Sequence, residues 1–534
     1  MTHFTQALPT DRAALLARLA DGTSYDLAVV GGGATGLGVA LDAASRGLRV
    51  VLVESHDFAK GTSSRATKLL HGGVRYLAQG NVSLVYEALH ERTTLLNNAP
   101  HLAQPLAFVM PSYRWWETPF YGIGLKLYDA LAGKAGLGKT EFLGRAGALA
   151  ALPGANADGL KGGVKYWDGQ FNDARLAITL AKTAALHGAL LVNYCQADDL
   201  IYEAGKVVGL RCTDTETSRS FDIRARCVIN AAGVWVDALR VKDGEANASD
   251  GRRPTKPMVA PSQGVHLVVD RHFLGSDVAL MVPKTVDGRV LFAVPWLGKV
   301  ILGTTDTPRQ DLDREPTPLL EEVDFILMEA ARYLRVAPTR ADVRSVWVGL
   351  RPLVKPQDDD GNNTKTLSRE HTVLISRSGL VTVTGGKWTT YRAMAEDVLA
   401  QCVARGLLPV RKGASTADLK LLGYAPHQTS VSMSSPEGLH SYGAESAQVI
   451  QMEGQDELLV PGLTGAMVRY AAAYEYARTV EDMLARRSRL LFLDAKAAAA
   501  IAPRVAVLMA STAGADPQLD AFLALAQKYL TLPA

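Results

Sequence analysis

Hydrophobic and polar positions along the chain change period several times, and each change predicts an element. Residues 11–20 carry apolar side chains at helical spacing and lead into a short apolar run, Leu27 to Val30, that reads as a strand. A glycine-rich turn follows, then a helical pattern through Ala44, then a second strand from Arg49 to Val53 ending at Glu54. Strand, helix and strand within about 30 residues is the size a parallel crossover requires. Residues 62–105 mix loops and helices. ARLAITLAKTAALHGALLV, from about 174, reads as helix then strand, and KVVGLRCTD and RARCVINAAG as further strands. Between about 255 and 350 the segments GVHLVVD, VALMVPK, RVLFAVPW and KVILGTTD alternate, punctuated by Gly, Pro and Asp, and predict an antiparallel sheet. The chain turns Ser/Gly/Pro-rich from about 412 to 445, the mark of a linker, and residues 464–530 return to helical spacing rich in Ala, Leu and Arg.

The first turn carries chemistry. Gly31, Gly33 and Gly36 form G-x-G-x-x-G between a predicted strand and a predicted helix. The three glycines permit a tight turn, close backbone approach to a pyrophosphate, and close helix–strand packing. The helix that begins there turns free N–H groups and the positive end of its dipole toward the phosphates. Glu54, 18 residues past Gly36, stands where a carboxylate accepts hydrogen bonds from ribose hydroxyls. The motif alone leaves FAD and NAD open. Two further glycine turns, at Gly233 after VINAA and at Gly385–Gly386 before a helix, stand where they can return to the nucleotide. A helix N-terminus after Gly386 would stabilise negative charge on a reduced flavin ring.

Composition narrows the class. A net charge of +3 gives no nucleic-acid footprint, although local cations could hold an anionic substrate. Cys195, Cys212, Cys227 and Cys402 form no C-x-x-C pair and no metal-ligand spacing, so no metal is expected and buried free thiols in a reducing compartment are. The N-terminus lacks a basic head followed by an apolar core, and no apolar run reaches about 18 residues, so neither a secretory signal nor a spanning helix is expected.

Six blocks in order, VVGGGATGLGVALDAASRGLRVVLVE, GTSSRATKLLHGGVRYL, DGQFNDARL, INAAGVWVD, VGLRPL and TGGKWTTYRAMAED, resemble the FAD-dependent glycerol-3-phosphate dehydrogenases, within the wider D-amino-acid-oxidase-like flavoprotein group. The resemblance implies an α/β fold: a Rossmann-like FAD-binding domain with a mixed parallel sheet, an antiparallel-sheet substrate domain, and a helical C-terminal domain. The domain boundaries expected are an extension over 1–24, an oxidoreductase region over 25–400, a linker over 401–445 and helices over 446–534. Within the region, FAD-binding segments fall at about 25–110, 165–245 and 350–400, interleaved with substrate segments at about 111–164 and 250–349. The implied reaction oxidises sn-glycerol-3-phosphate to dihydroxyacetone phosphate by hydride transfer from C2 to flavin, with electrons passing to a membrane quinone. A glycerol-3-phosphate oxidase yielding peroxide, or an amine or amino-acid oxidase, is the alternative. The implied location is cytoplasmic, peripheral on the inner face of the cell membrane, and a homodimer is left open.

By the same resemblance Arg75, Tyr76, His266, Arg351, Lys387 and, in a looser block, Arg369 lie near the substrate. Their chemistry suits it. A phosphate monoester calls for several fixed cations, and Arg75, Arg351 and Arg369 can bind it. Arg351 precedes Pro352, which holds its backbone extended. A neutral imidazole can accept the hydroxyl proton, which favours His266 as base, with Tyr76 and Lys387 as rivals; Lys387 and Arg351 can stabilise alkoxide-like charge. Thr62, Ser63, Ser64 and Lys68 in the loop after Glu54 are read as flavin-binding, and Asn172 and Asp173 as a helix N-cap. Trp115 and Trp116 precede an apolar stripe, Phe120, Ile123, Leu127, Ala130 and Leu131, with Arg114, Lys126 and Lys134 beside it. The stripe is read first as a buried core helix, with an interfacial membrane helix as the second reading.

Overall fold

The structure is a computed structural model. It describes residues 4–73, 81–246, 255–355, 370–411, 416–426 and 431–534; Arg75, Tyr76 and Arg369 lie outside the described residues.

The predicted crossover forms. Tyr25–Val30, helix Ala34–Ser45 and Val50–Val53 build the centre of an eight-stranded sheet, with Tyr25–Val30 parallel to both Val50–Val53 and Ser220–Asn230. Val381–Gly385 adds in parallel beyond Ser220–Asn230, and Leu190–Val192 beyond Val50–Val53. The apolar runs are nearly continuous because the sheet is covered on its faces. Leu27, Val29, Leu52, Val228 and Ile229 are wholly buried, and Ala34–Ser45 packs against Asp173–Leu186 and Tyr391–Ala404.

The second sheet has ten strands and is largely antiparallel. Its centre is Val259–Asp270, flanked by Ser345–Val354 and Lys299–Gly303. The register pairs Ser262 with Arg351, Gly264 with Gly349, and His266 with both Trp347 and Gly303. Side chains alternate across a strand, so Ser262, Gly264 and His266 share one face with Trp347, Gly349 and Arg351. Val265, Leu267 and Val269 turn to the other face, which shares a core with helix Leu320–Tyr333.

Three expectations are corrected. Strands Leu69–Leu70, Ala103–Ser112 and Gly162–Phe171 all join the second sheet, so its share of the chain begins well before the boundary near 110 and runs past 164. The stretch called a linker is packed: Leu419, Leu421, Leu422 and Met433 are buried, and Leu421 donates its backbone N–H to Asn98. The apolar stripe is not core. Helix Glu117–Ala132 buries Gly122, Leu125, Tyr128 and Ala132, while Phe120 is 66% exposed, Ile123 69% and Leu127 53%. One face of the helix suffices for packing, and the sequence offered two apolar faces to choose from.

The C-terminal region is helical as predicted, with Gly465–Tyr474, Ala495–Ala513 and Leu519–Leu530 around one core and a π-helical turn at Asp482–Arg487. All four cysteines are buried and free. Among the described residues, no helix is long and apolar enough to cross a membrane.

Candidate active site

A cavity of about 430 Å³ opens across the carboxyl ends of four adjacent parallel strands. Val53–Glu54, Val30–Gly31, Asn230–Ala231 and Thr384–Gly385 each contribute to its wall. Three strand spacings amount to about 14 Å, an elongated site of the kind open α/β sheets present to dinucleotides. The turn is built for close approach. Gly31 has φ +108°, and a Cβ there would lie 2.6 Å from the Ala231 carbonyl oxygen. A Cβ on Gly36 would meet the Gly31 carbonyl oxygen at 1.9 Å, so this glycine serves the packing of helix on strand and does not line the cavity. Gly33, Ala34 and Thr35 bring the helix N-terminus to the wall. Ser63 Oγ accepts the Ala34 N–H at 2.9 Å.

Glu54 also faces the cavity. Its carboxylate accepts backbone N–H groups from Gly32 at 2.7 Å and His56 at 2.9 Å, which hold it at the strand end with Gln196 and Asp198 beside it. Gly233, Gly385, Gly386 and Lys387 line the opposite part, and Lys60, Lys242 and Arg314 add cations around the opening. The donor set (glycine turn, helix N-terminus, strand-end carboxylate and cations) fits an adenine dinucleotide. Of the residues read as cofactor-binding, Gly31, Gly33, Glu54, Thr62, Ser63, Gly233, Gly385, Gly386 and Lys387 meet here. Thr62 is fixed by donating to the Leu350 carbonyl at 2.6 Å.

Ser64 and Lys68 lie elsewhere, as does Gly36. Both side chains are buried away from the cavity, and the Ser64 carbonyl accepts from Lys68 Nζ at 2.7 Å and Arg489 Nη2 at 2.6 Å. Lys68 pairs with Asp173 at 2.7 Å and sits 4.5 Å from the centre of the Trp347 ring. Burial pushes its ammonium pKa well down; Asp173 opposes the shift and Arg489 adds to it. Lys68 therefore belongs to the sheet face that carries His266. Asn172 caps Asp173–Leu186 by accepting the Arg175 N–H, as read from sequence.

On that sheet face His266 is 2% exposed and stacks on Trp347 at 4.0 Å with the rings 15° apart. Its Nε2 lies 2.9 Å from Thr67 Oγ1. Burial, with the cations of Lys68 and Arg351 adding to it, holds the imidazole neutral, its pKa well below the usual histidine value. Arg351 folds back over Gly264. A Cβ at Gly264 would lie 2.3 Å from Arg351 Nη2, and the guanidinium reaches Thr304 Oγ1 at 3.2 Å and Asp306 at 3.2 Å. Asp306 is in turn hydrogen-bonded by Ser262. Sequence reasoning missed Thr67, Trp347 and Asp306. Trp347 carried a usable signal, since it lies two strand repeats before Arg351; Thr67 and Asp306 carried none.

Similarity to known proteins agrees with this geometry. Residues 26–392 match the family of FAD dependent oxidoreductases, and residues 414–519 match the C-terminal domain of alpha-glycerophosphate oxidase. The mitochondrial glycerol-3-phosphate dehydrogenase of Bos taurus is 41% identical over 94% of this chain and 72% of its own length. That of Arabidopsis thaliana is 40% identical over 91% of this chain and 82% of its own. The structure of glycerol-3-phosphate dehydrogenase from Bacillus halodurans complexed with FAD superposes with a TM-score of 0.76 at 30% identity, covering 97% of this chain and 98% of that one. The protein is thus an FAD-dependent oxidoreductase with an α/β fold and a helical C-terminal region, and the chain belongs to the FAD-dependent glycerol-3-phosphate dehydrogenase family.

Proposed function

We propose that this enzyme oxidises sn-glycerol-3-phosphate to dihydroxyacetone phosphate and passes the electrons to a membrane quinone. The observation that carries the reading is the buried imidazole of His266, held neutral, on one sheet face with the Arg351 guanidinium, which folds back over the space that Gly264 leaves. Bound FAD supplies the hydride acceptor. His266 takes the proton of the C2 hydroxyl as hydride leaves C2, so that the alcohol becomes a ketone. Arg351 and Lys387 stabilise the alkoxide-like charge that develops on that oxygen. Arg75, Arg351 and Arg369 hold the phosphate, and Tyr76 and Lys387 are the rival bases. An anaerobic spectrum tests the substrate: sn-glycerol-3-phosphate should bleach the flavin absorbance and D-amino acids should not, and no bleaching by the phosphate ester would refute the reading. Quinone-analogue reduction measured against peroxide yield then separates dehydrogenase from oxidase.

Delivery to a quinone calls for a membrane surface, and helix Glu117–Ala132 supports one. Trp115 (82% exposed), Phe120, Ile123 and Leu127 form an apolar patch with Phe142 beside it, rimmed by exposed Arg114, Lys126, Lys134 and Lys139. Burying one such side chain contributes about 1.5–3 kcal/mol, and the basic rim suits anionic headgroups. Ile123→Asp with Leu127→Asp should abolish sedimentation with anionic vesicles while soluble turnover persists; undiminished sedimentation would remove the helix from the interface.

A further inference from the structure

The base needs an orienting partner, and the loop that walls the cofactor cavity provides one. We propose that Thr67 is a positioning residue: its hydroxyl accepts the Nε2 proton of His266 and leaves the Nδ1 lone pair to take the substrate's hydroxyl proton. The inference rests on the reading of His266 as base.

Among the described residues, Thr67 Oγ1 is the group within hydrogen-bond distance of the imidazole, 2.9 Å from Nε2, and buried Nδ1 has no hydrogen-bond partner. A neutral imidazole carries one proton. A buried N–H without an acceptor is costlier than a bare lone pair that awaits a donor, so the proton resides on Nε2, facing Thr67. Stacking on Trp347 sets the plane of the ring. Within that plane the Cδ2 edge lies against Gly303, where a Cβ would stand 2.6 Å away, so the Nδ1 edge turns from that strand. Stacking does not distinguish the two nitrogens; the hydroxyl does.

Thr67 is itself held. The next residue, Lys68, is anchored to Asp173 and to the Ser64 carbonyl, and the Ala66 N–H donates to Asp173 at 3.2 Å. The charged groups around the ring are Lys68 from this loop, with Asp173 and Arg489 behind it, and Arg351 from the neighbouring strand, with Asp306 behind it. A carboxylate in the place of Thr67 would stabilise the imidazolium and raise its pKa. A hydroxyl orients the ring while stabilising the imidazolium far less than a carboxylate would, and keeps it able to accept a proton near neutral pH.

The test is the anaerobic stopped-flow rate of flavin reduction by sn-glycerol-3-phosphate between about pH 5 and 9, with FAD content measured for each variant. Thr67→Val removes the hydroxyl at nearly constant volume. It should slow reduction by about 10- to 100-fold with FAD content unchanged. It should also move the acidic limb of the pH profile to lower pH, because imidazolium loses an acceptor. Thr67→Ser should restore the rate to within about threefold and return the limb. In the double variant Thr67→Val/His266→Asn the rate should be no lower than in His266→Asn alone, since Thr67 acts through the ring. Should valine lose FAD, Thr67→Ala carries the same readout. A wild-type rate and limb in Thr67→Val, with His266→Asn strongly slowed, overturns the proposal and leaves the base in place; multiplicative losses in the double variant overturn it as well. A wild-type rate in His266→Asn overturns the base reading itself.

Discussion

Replacing Gly264 by alanine tests whether the guanidinium of Arg351 serves the substrate. Residue 264 lies in an extended strand, and the new methyl is no strain on the backbone itself. It would lie 2.3 Å from Arg351 Nη2, 2.8 Å from Cζ and 2.6 Å from Thr304 Oγ1. Ordinary contact begins near 3.4 Å, so the guanidinium must retreat by about 1 Å (3.4 − 2.3). That retreat disturbs the contacts with Thr304 and Asp306, both at 3.2 Å. The obstructing atoms are the far end of the flexible Arg351 side chain and the Thr304 hydroxyl, and the backbone itself is not obstructed, so the fold should lose no more than about 1–2 kcal/mol. Catalysis is less forgiving: displacing a charge-stabilising group by about 1 Å costs on the order of 100-fold in rate, or about 2.7 kcal/mol. The assay is kcat/KM for sn-glycerol-3-phosphate, with FAD content and thermal midpoint measured on the same preparation. A variant that keeps its flavin and its midpoint but loses about two decades of kcat/KM supports the arrangement. Full activity with the methyl in place would show that Arg351 does no work on the substrate.

Other perturbations follow from the same geometry. Lys68→Met should lower the free energy of unfolding, measured by chemical denaturation, by about 3 kcal/mol, the low end for a broken buried pair, because Arg489 remains 3.6 Å from the stranded Asp173; Lys68→Met/Asp173→Asn should recover part of it. Stability should also fall as pH drops below about 6.5. Burial lowers the pKa of His101 to about 3, and that of His266 well below its usual value, so the unfolded chain binds the extra protons and each group contributes about 1.4 kcal/mol of lost stability per pH unit. Glu475 adds nothing in that window: it is buried, yet Arg175 and Lys182 hold its pKa at about 2, so its loss begins only below the unfolded value near 4.5. Thermal midpoints from pH 7 down to about 5 check this, and a flat profile would contradict the burial of the two rings.

The parts of the fold legible in the sequence were those where one period serves one face. Val29 and Leu52 are buried between helices and read as plain apolar runs; His266 and Val268 alternate with Val265 and Leu267 and read as a two-faced strand. The glycine turn was legible because backbone geometry demands glycine there, and Glu54 because a carboxylate at the end of the second strand stands at a fixed place relative to that turn. What was missed depends on contacts between distant segments. Lys68 looks like a loop lysine until Asp173 and Trp347, 105 and 279 residues away in sequence, close around it. The stripe over 120–131 failed for a different reason: Gly122, Leu125, Tyr128 and Ala132 make a second apolar face, and only packing decides which is covered.

The segment from Asp57 to Lys68 is where the parts of the molecule meet, and its bonding explains why the C-terminal region accompanies the oxidoreductase fold. Asp57 is buried and hydrogen-bonded to both Arg486 and Arg487. Burial opposes its charge, but the two guanidinium groups prevail and hold its carboxyl below the usual range. Lys60 pairs with Glu481 at 2.6 Å, Arg65 with Glu315 at 2.7 Å, and Arg489 donates to the Ser64 carbonyl at 2.6 Å. Ion pairs this deep gain little net stability over apolar packing, because each charge surrenders its hydration. Their directionality is what an apolar core would lack. The same stretch carries Lys60, Thr62 and Ser63 on the cofactor wall and Thr67 against His266. Fixed bonds from the C-terminal arginines thus hold the cofactor wall and the imidazole in one register, so the helical region buttresses the proposed active site without, among the described residues, contributing a side chain to the cavity.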